Sequence, residues 1–201
     1  KSWWKRLLLS GHYEFDPKRH IIENNTMPLD LLGIGVDSVS VSVLHSAEAS
    51  GSVDRMLADR GIREFVIFHP GAQYEYKVYP ARLRSALLER LDTLGMHLVV
   101  TGSRSEVDLD IKKSLPKLSN VHDFIGETSM DELIALSDRS LAYIGADTLN
   151  MHIAAAQGKR IFGIYGPTIL SMWSPWCNAL GRGTCENRPV QTYGNVTIFQ
   201  A

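Results

Sequence analysis

The chain has 201 residues, 44% of them hydrophobic, and its 21 Lys and Arg residues nearly balance its 22 Asp and Glu residues, giving a net charge of −1. This balance argues against a protein that holds nucleic acid mainly by counterion release, because that mode needs a basic surface. Two Cys residues are too few for a disulfide framework, and no apolar run approaches the roughly 20 residues of a membrane-spanning helix.

The first 60 residues or so carry mixed signals instead of a regular pattern. Loose runs of small residues lie at 38–42 and 46–52. Gly33 and Gly35 begin a pattern like G-x-G-x-x-G, the fingerprint of dinucleotide-binding proteins. The third glycine is missing and no convincing strand precedes the pattern, so we interpret it as chance.

From Phe65 onward, short apolar runs typical of strands alternate with helical patterns. One helix is predicted by leucines at spacings of four, four and three: Leu83, Leu87, Leu91 and Leu94. Pro80 lies near its start and Gly95 at its end. A capping-box pattern beginning at Ser129 predicts a second helix, and a third is predicted over 148–157, closed by Gly158. The predicted strands are residues 65–68, 98–101, 121–125, 141–144 and 160–165. This alternation predicts an α/β fold over residues 62–170: five parallel strands in a Rossmann-like order, with helices on both faces.

The turns that follow the five predicted strands are rich in Gly, Ser and Thr. Ligands of open α/β sheets bind beyond the carboxyl ends of the strands, where all five turns should meet. Most of these turns lead into a helix N-terminus, whose unpaired N–H groups and positive dipole end suit phosphate. Each turn alone is ordinary strand-to-helix chemistry. Five on one edge, with Lys77 and Arg104 among them, indicate an anionic nucleotide ligand.

Individual candidates have alternatives. Lys77 could meet a diphosphate as a point charge, or be a solvated loop lysine. Asp147 could accept hydrogen bonds from ligand hydroxyls, or serve as the N-cap of the following helix. His152, within that helix, is by itself more typical of a core residue. The 108–110 segment has D-x-D spacing, as in metal-dependent sugar transferases, but it lies in a predicted surface helix. Because the His and Cys residues also lack zinc spacing, we expect no metal.

Several separated motifs occur in the order and at the spacing of a known family. They are His69-Pro70-Gly71-Ala72 with Lys77-Val78-Tyr79-Pro80, Gly126-Glu127-Thr128-Ser129, Asp147-Thr148-Leu149-Asn150-Met151-His152, Tyr165-Gly166-Pro167-Thr168 and Trp173-Ser174-Pro175-Trp176. Together they resemble the heptosyltransferases of bacterial lipopolysaccharide core synthesis, which are GT-B glycosyltransferases of family nine. The resemblance runs from about His20 to the end of the chain.

The resemblance implies an enzyme with two Rossmann-like domains facing a cleft. The C-terminal domain would hold a nucleotide-sugar donor, typically ADP-heptose, and the N-terminal domain would face a lipid-linked saccharide acceptor. The implied reaction inverts the anomeric centre, needs neither metal nor cofactor, and uses a carboxylate base from the N-terminal domain. The implied location is the bacterial cytoplasm, with peripheral attachment to the inner membrane as an alternative. Trp3 and Trp4 among the basic residues of the start fit either a membrane-interface segment or a partly packed start.

The resemblance also implies a domain division. Residues 1–60 would be the end of the N-terminal acceptor domain and the interdomain connector, and residues 61–201 the C-terminal nucleotide-sugar-binding domain. The chain begins at Lys1 instead of Met, matches nothing of the family's catalytic base, and stops short of the family's usual closing helix. We therefore expect a piece of a longer protein that binds a donor but does not transfer the sugar alone.

Donor-binding roles follow from the resemblance, position by position. Lys77 matches the family's phosphate-binding lysine, and Asp147, Thr148 and His152 match the start of its donor-binding helix. Thr128 matches a position that lines the binding site of the nucleotide base or ribose in the family. In full, the predicted donor-binding residues are Gly71, Ala72, Lys77, Ser103 and Arg104 (in a loop that would approach the ribose), Thr128, Asp147, Thr148, Leu149 and His152.

The chain also departs from the family. Leu149 stands where Gly is usual, Asn150 where Pro is frequent, and Tyr79 where Trp is usual. Glycine lets phosphate approach the backbone closely, so a leucine there would narrow the pocket. This leaves open a non-catalytic nucleotide-sugar-binding module. An NAD-dependent oxidoreductase is a further alternative, which the missing glycine fingerprint disfavours.

Overall fold

The structure is a computed structural model that describes residues 3–4 and 8–200. Of the basic and aromatic start of the chain, Trp3 and Trp4 are described and are exposed, whereas its basic residues lie outside the described part. Within the described residues, no helix has the length and apolar character needed to cross a bilayer.

One seven-stranded sheet organises the molecule, in the order β3-β2-β1-β4-β5-β7-β6. The strands are β1 (Phe65–His69), β2 (His97–Val100), β3 (Val121–Asp123), β4 (Ala142–Ala146), β5 (Arg160–Tyr165), β6 (Val190–Tyr193) and β7 (Val196–Gln200). Strands β1 to β5 are parallel throughout, so the predicted Rossmann-like order is confirmed. Strand β7 is parallel to β5 and antiparallel to β6. The β6–β7 hairpin was not predicted, although Gly194 and Asn195 between alternating apolar residues are a hairpin signal.

The helices are α1 (Ile21–Asp30), α2 (Ala47–Asp59), α3 (Ala81–Asp92), α4 (Glu106–Lys113), α5 (Met130–Arg139), α6 (Leu149–Ala156) and α7 (Leu170–Trp173), with a 3₁₀ turn at Glu75–Lys77. The helices predicted over 83–94, from Ser129 onward and over 148–157 are confirmed as α3, α5 and α6. The interpretation of residues 46–52 as loose is wrong, because Ser46 caps α2 by accepting a hydrogen bond from the Ala49 N–H. Ala49, Val53 and Leu57 recur at a spacing of four and are buried.

Both faces of the sheet are covered around β1, all five residues of which are buried. Phe65 and Ile67 pack on one face, in a cluster that includes residues of α2, α5 and α6. Val66 and Phe68 pack on the other face, in a cluster that includes residues of α3 and α4. Buried parallel strands of this kind are typical of α/β proteins. Helix α2 thus shares the core of the sheet, and the predicted domain division at residue 60 stays a prediction.

The segment before α2 is attached to the chain around α7. His20 Nε2 donates to the Ser174 carbonyl at 2.8 Å, while its Nδ1 accepts from the Ile22 N–H, so its neutral tautomer carries the proton on Nε2. Trp176 Nε1 donates to the Val39 carbonyl at 3.2 Å. These contacts hold the early segment against the end of the sheet opposite to β3.

Candidate functional site

A cavity of about 540 Å³ lies at the carboxyl ends of β1 to β4. The strand order reverses between β1 and β4, which is the position where ligands bind in open α/β sheets. Four of the five predicted turns line the cavity. Its lining residues are His69, Ala72, Gln73, Tyr74, Lys77, Gly102, Ser103, Ser105, Val107, Asp108, Thr128, Ser129, Met130, Leu133, Asp147, Thr148, Leu149 and Asn150. The fifth turn lies beside the cavity, where the hydroxyl of its Thr168 donates to the carboxylate of Asp147.

The structure brings most of the predicted donor-binding residues together. Those that line the cavity are Ala72, Lys77, Ser103, Thr128, Asp147, Thr148 and Leu149. Gly71, Arg104 and His152 do not line it. The Arg104 Nε donates to the Gly126 carbonyl at 2.9 Å, and His152 Nε2 lies 3.7 Å from Asp147 Oδ1. Gly71 lies against the carboxylate of Asp108, which a Cβ at this position would overlap.

Lys77, from the 3₁₀ turn after β1, and Asp147, from the turn after β4, form an ion pair. Lys77 Nζ lies 3.4 Å from Asp147 Oδ2, and Thr168 Oγ1 donates to the same oxygen at 3.0 Å. Burial by itself raises the pKa of Asp147, but the nearby His152 ring, the hydrogen bond of Thr168 and the charge of Lys77 outweigh it and hold that pKa below its usual value. Asp147 is therefore ionised at neutral pH.

Two alternatives from the sequence do not fit this geometry. The Lys77 side chain is 24% exposed and paired with a carboxylate, which excludes a freely solvated loop lysine. The N-cap of α6 is Thr148, so the interpretation of Asp147 as the N-cap is wrong. The carboxylate of Asp147 points instead toward Lys77 of the 3₁₀ turn, His152 of α6 and Thr168 of the turn after β5.

Three helices begin at the cavity, and one of them is suited to an anion. Ser105 and Ser129 cap α4 and α5 by accepting backbone N–H groups, and both of these helices carry acidic residues in the first turn. Thr148 makes no such side-chain bond, and the first turn of α6 holds no acidic residue. The N–H groups at the start of α6, beginning with Leu149, therefore face the cavity at the positive end of the helix dipole.

His69, at the end of β1, lines the cavity and belongs to the His69-Pro70-Gly71-Ala72 motif, although no role was predicted for it. It is 8% exposed, and its Nδ1 lies 3.0 Å from Thr101 Oγ1. Burial lowers the pKa of His69 to about 4, against the opposing effects of the Asp108 charge and of a hydrogen bond with the Thr101 backbone. The ring is therefore neutral at pH 7, and Asn150 Nδ2 forms a hydrogen bond with it, 2.8 Å from Nδ1 and 3.3 Å from Nε2. This bond attaches the first turn of α6 to β1.

Asp108 is a second residue that the sequence analysis missed. The surface helix predicted for the 108–110 segment is confirmed as α4, but Asp108 itself is buried. Its Oδ2 accepts from the backbone N–H and the hydroxyl of Ser103, at 2.7 and 2.6 Å. The spacing of three to the buried Ile111 is the signal that places Asp108 on the inner face of the helix. Its carboxylate holds the turn after β2 in place.

The cavity has a polar and an apolar side. Lys77 and Asp147 stand at the turns of β1 and β4, whereas Val107, Met130 and Leu133 line the side of β2 and β3. Ligand pockets commonly combine apolar walls with a few convergent polar groups in this way. Within residues 3–4 and 8–200, no three His, Cys, Asp or Glu side chains are placed to share a metal ion.

Comparisons with known proteins agree with this architecture. The family model described as glycosyltransferase family 9 (heptosyltransferase) matches residues 5–193. The lipopolysaccharide heptosyltransferase 3 of Escherichia coli K12 is 27% identical over 161 residues, which are 78% of this chain and 47% of that protein. This chain thus spans about half the length of the curated relatives it matches.

Two solved structures share the fold. The glycosyl transferase family 9 from Veillonella parvula DSM 2008 superposes with a TM-score of 0.80 at 18% identity, over 99% of this chain and 54% of that one. The E. coli heptosyltransferase WaaC with ADP-2-deoxy-2-fluoro heptose gives a TM-score of 0.63 at 16% identity, over 97% of this chain and 54% of that one. At these identities the likeness shows the fold alone.

Proposed function

The chain belongs to glycosyltransferase family 9, the heptosyltransferases, and we propose that it binds the nucleotide-sugar donor of such an enzyme, ADP-heptose. One observation carries the proposal: Lys77 and the uncapped N-terminus of α6 converge on a cavity whose far side is apolar. The heptosyltransferase relative solved with ADP-2-deoxy-2-fluoro heptose supports this class of ligand.

The chemistry of the cavity indicates where each part of the donor binds. The diphosphate binds at Lys77, because this side chain is a cation, and at the N–H groups that begin α6, because they lie at the positive end of the helix dipole. The base lies on the apolar side, against Val107, Met130 and Leu133. Asp147 is ionised and accepts hydrogen bonds, so it binds hydroxyl groups of the ribose or the sugar. Lys77 exchanges part of its contact with Asp147 for the phosphate oxygens.

The proposed reaction is a displacement at the anomeric carbon of the donor sugar. A hydroxyl oxygen of the acceptor forms a bond to this carbon on the face opposite the diphosphate, while the bond to the diphosphate oxygen breaks and its electron pair leaves with ADP. Attack from the opposite face inverts the anomeric centre, and the proton of the hydroxyl passes to a carboxylate base. Lys77 and the start of α6 stabilise the charge that develops on the departing diphosphate, without a metal in the step.

The acceptor and the base belong to the wider proposal. The relatives are named as lipopolysaccharide heptosyltransferases, so we extend to this protein a saccharide of the lipopolysaccharide core as acceptor, reached at the cytoplasmic face of the inner membrane. The carboxylate base would come from residues beyond those that match here. Residues 1–201 would therefore bind donor without transferring its sugar, and glycosyl transfer by this polypeptide alone would contradict that.

One observation favours a second function, a non-catalytic nucleotide-sugar-binding module. Leu149 lines the cavity at the start of α6 and is 59% exposed. Its side chain occupies space beside the N–H groups that would receive the diphosphate. Such a module and the donor-binding part of an enzyme would both bind ADP-heptose. The two differ in whether the full-length protein transfers heptose to a lipopolysaccharide core acceptor.

Titration calorimetry of the chain with ADP, ADP-heptose, UDP and NAD tests the proposal. We expect ADP and ADP-heptose to bind and UDP and NAD to bind more weakly. Lys77→Ala should weaken ADP binding about 10- to 100-fold, because hydrogen bonds to charged groups contribute about 1.5–3 kcal/mol. Lys113→Ala is the matched control, since Lys113 is exposed at the opposite end of α4 from the cavity. Tighter binding of NAD than of ADP, or an unchanged affinity in Lys77→Ala, would contradict the proposal.

A further inference from the structure

Two tyrosines stack against each other, and one of them lines the cavity. The rings of Tyr74 and Tyr76 are 5.6 Å apart between centroids, with an angle of 18° between their planes. Both side chains are exposed, at 51% and 69%. Tyr74 lines the cavity, and Tyr76, which does not, packs against its ring. Neither ring contributes to the two core clusters of the sheet.

The position of Tyr74 indicates which part of a ligand it would meet. It directly precedes the 3₁₀ turn Glu75–Lys77, and the Lys77 N–H donates to the Tyr74 carbonyl at 2.9 Å. Tyr74 therefore stands with the proposed diphosphate group. Met130 and Leu133 follow β3, which is separated from β1 by β2. When the base lies against Met130 and Leu133, the part of the ligand nearest Tyr74 is the sugar attached to the far end of the diphosphate.

We propose that Tyr74, supported by Tyr76, is a stacking platform for a pyranose ring. One face of a pyranose presents C–H groups that pack on the electron-rich face of an aromatic ring, while its hydroxyls keep their hydrogen bonds at the edge. Asp147 stands close by, through its contact with Lys77, to accept from such hydroxyls. The pyranose comes from the donor heptose or from the acceptor saccharide, which share this chemistry. The proposal rests on the proposed function of the cavity.

Binding measurements on the whole chain test the platform. The variants are Tyr74→Ala, Tyr76→Ala and Tyr74→Phe, with Tyr13→Ala as the control for loss of another exposed tyrosine. The ligands are ADP, ADP-heptose and a deacylated oligosaccharide of the lipopolysaccharide core. An aromatic contact is worth about 0.5–1.5 kcal/mol, so Tyr74→Ala should weaken the sugar-bearing ligand about two- to tenfold and leave ADP unchanged. Tyr76→Ala should have a smaller effect, and Tyr74→Phe should bind like the wild type.

Proton NMR of the ligand gives a second readout that does not depend on the stability of a variant. Stacking places pyranose C–H protons over the ring of Tyr74, so their signals should shift upfield with the wild type. A shift or a loss of affinity confined to ADP-heptose identifies the donor sugar, and one confined to the oligosaccharide identifies the acceptor; either supports the platform.

Three results would overturn the platform. Equal weakening of ADP and ADP-heptose in Tyr74→Ala would mean that the ring contacts the nucleotide. Unchanged binding of both sugar ligands, with no upfield shift, would mean that the tyrosines do not meet a sugar. Failure of the wild-type chain to bind ADP at all would refute the proposed function itself, and the platform with it.

Discussion

Replacing Asp147 with Asn tests the ion pair that joins β1 to β4. The substitution keeps the shape of the side chain and removes its charge. Thr168 can still donate to the amide oxygen, but Lys77 Nζ, 3.4 Å away, loses a carboxylate partner. The two side chains are 24% and 11% exposed, so water replaces the lost interaction only in part. Charged hydrogen bonds contribute about 1.5–3 kcal/mol, and the open cavity lowers this, so we expect the free energy of unfolding to fall by about 1–3 kcal/mol.

Thermal unfolding followed by circular dichroism measures this loss. In a protein of this size, 1 kcal/mol corresponds to about 2–4 °C in the unfolding midpoint, so the expected decrease is about 2–12 °C at pH 7. The folded-state pKa of Asp147 is lowered despite its burial, by the nearby His152 ring, the hydrogen bond of Thr168 and the charge of Lys77. The stabilisation from ionised Asp147 is therefore fully present at pH values above the ordinary carboxyl pKa, and it is lost as the pH falls through the lowered pKa of the folded state. The difference between wild type and variant should shrink in acid.

Asp110→Asn is the matched control for Asp147→Asn. Asp110 lies only 2.7 Å from Lys113 Nζ, yet the two side chains are 64% and 75% exposed. Solvent screens such a pair, so we expect no measurable change in the midpoint. Equal midpoints for Asp147→Asn and the wild type at pH 7 would refute this reasoning. An equally large loss in Asp110→Asn would show that distance, not burial, governs these pairs.

Three further predictions follow from the cavity. Leu149→Gly should tighten ADP binding about three- to tenfold in calorimetry, because it removes an exposed side chain beside the α6 N–H groups. The substitution should lower the free energy of unfolding by at most about 1 kcal/mol. Unchanged affinity would show that the leucine does not narrow the site. Burial depresses the pKa of His69 from 6.5 to about 4, so the unfolded chain binds the proton first and the free energy of unfolding should fall by about 3 kcal/mol from this residue between pH 6.5 and 4. His69→Gln should remove this part of the slope in denaturant titrations at several pH values, and an unchanged slope would contradict it. Gly71→Ala should destabilise the chain by about 1–3 kcal/mol, because its Cβ overlaps the Asp108 carboxylate, whereas Gly166→Ala, with no atom within 4 Å of the added Cβ, should melt like the wild type.

Local patterns in the sequence were enough for the parallel sheet and for the edge that carries the cavity. Leucine spacing predicted α3, and the capping box beginning at Ser129 predicted α5, because both signals depend on residues within one or two turns of each other. The position of the turns followed from a general property of parallel sheets. The ligand contacts of the ten predicted residues stay predictions, although seven of these residues line one cavity.

Helix α2 and the β6–β7 hairpin were not predicted, for different reasons. The small residues of α2 read as a loose run, and its helix is stabilised by burying Ala49, Val53 and Leu57 in the core of the sheet. This stabilisation depends on residues far along the chain. The hairpin carries its own signal at Gly194 and Asn195, and could have been predicted from it.

The sequence by itself determined the five parallel strands, the helices α3, α5 and α6 between them, and the edge at which a ligand would bind. Only the tertiary structure decided the state of the site: that Asp147 is held ionised by His152, Thr168 and Lys77, that His69 is neutral, and that Asp108 points inward from a helix with an exposed face. The physical reason is the range of the interactions. Periodicity and capping act between neighbours in the chain, whereas burial and charge depend on partners that folding brings together, as with Lys77 and Asp147, 70 residues apart.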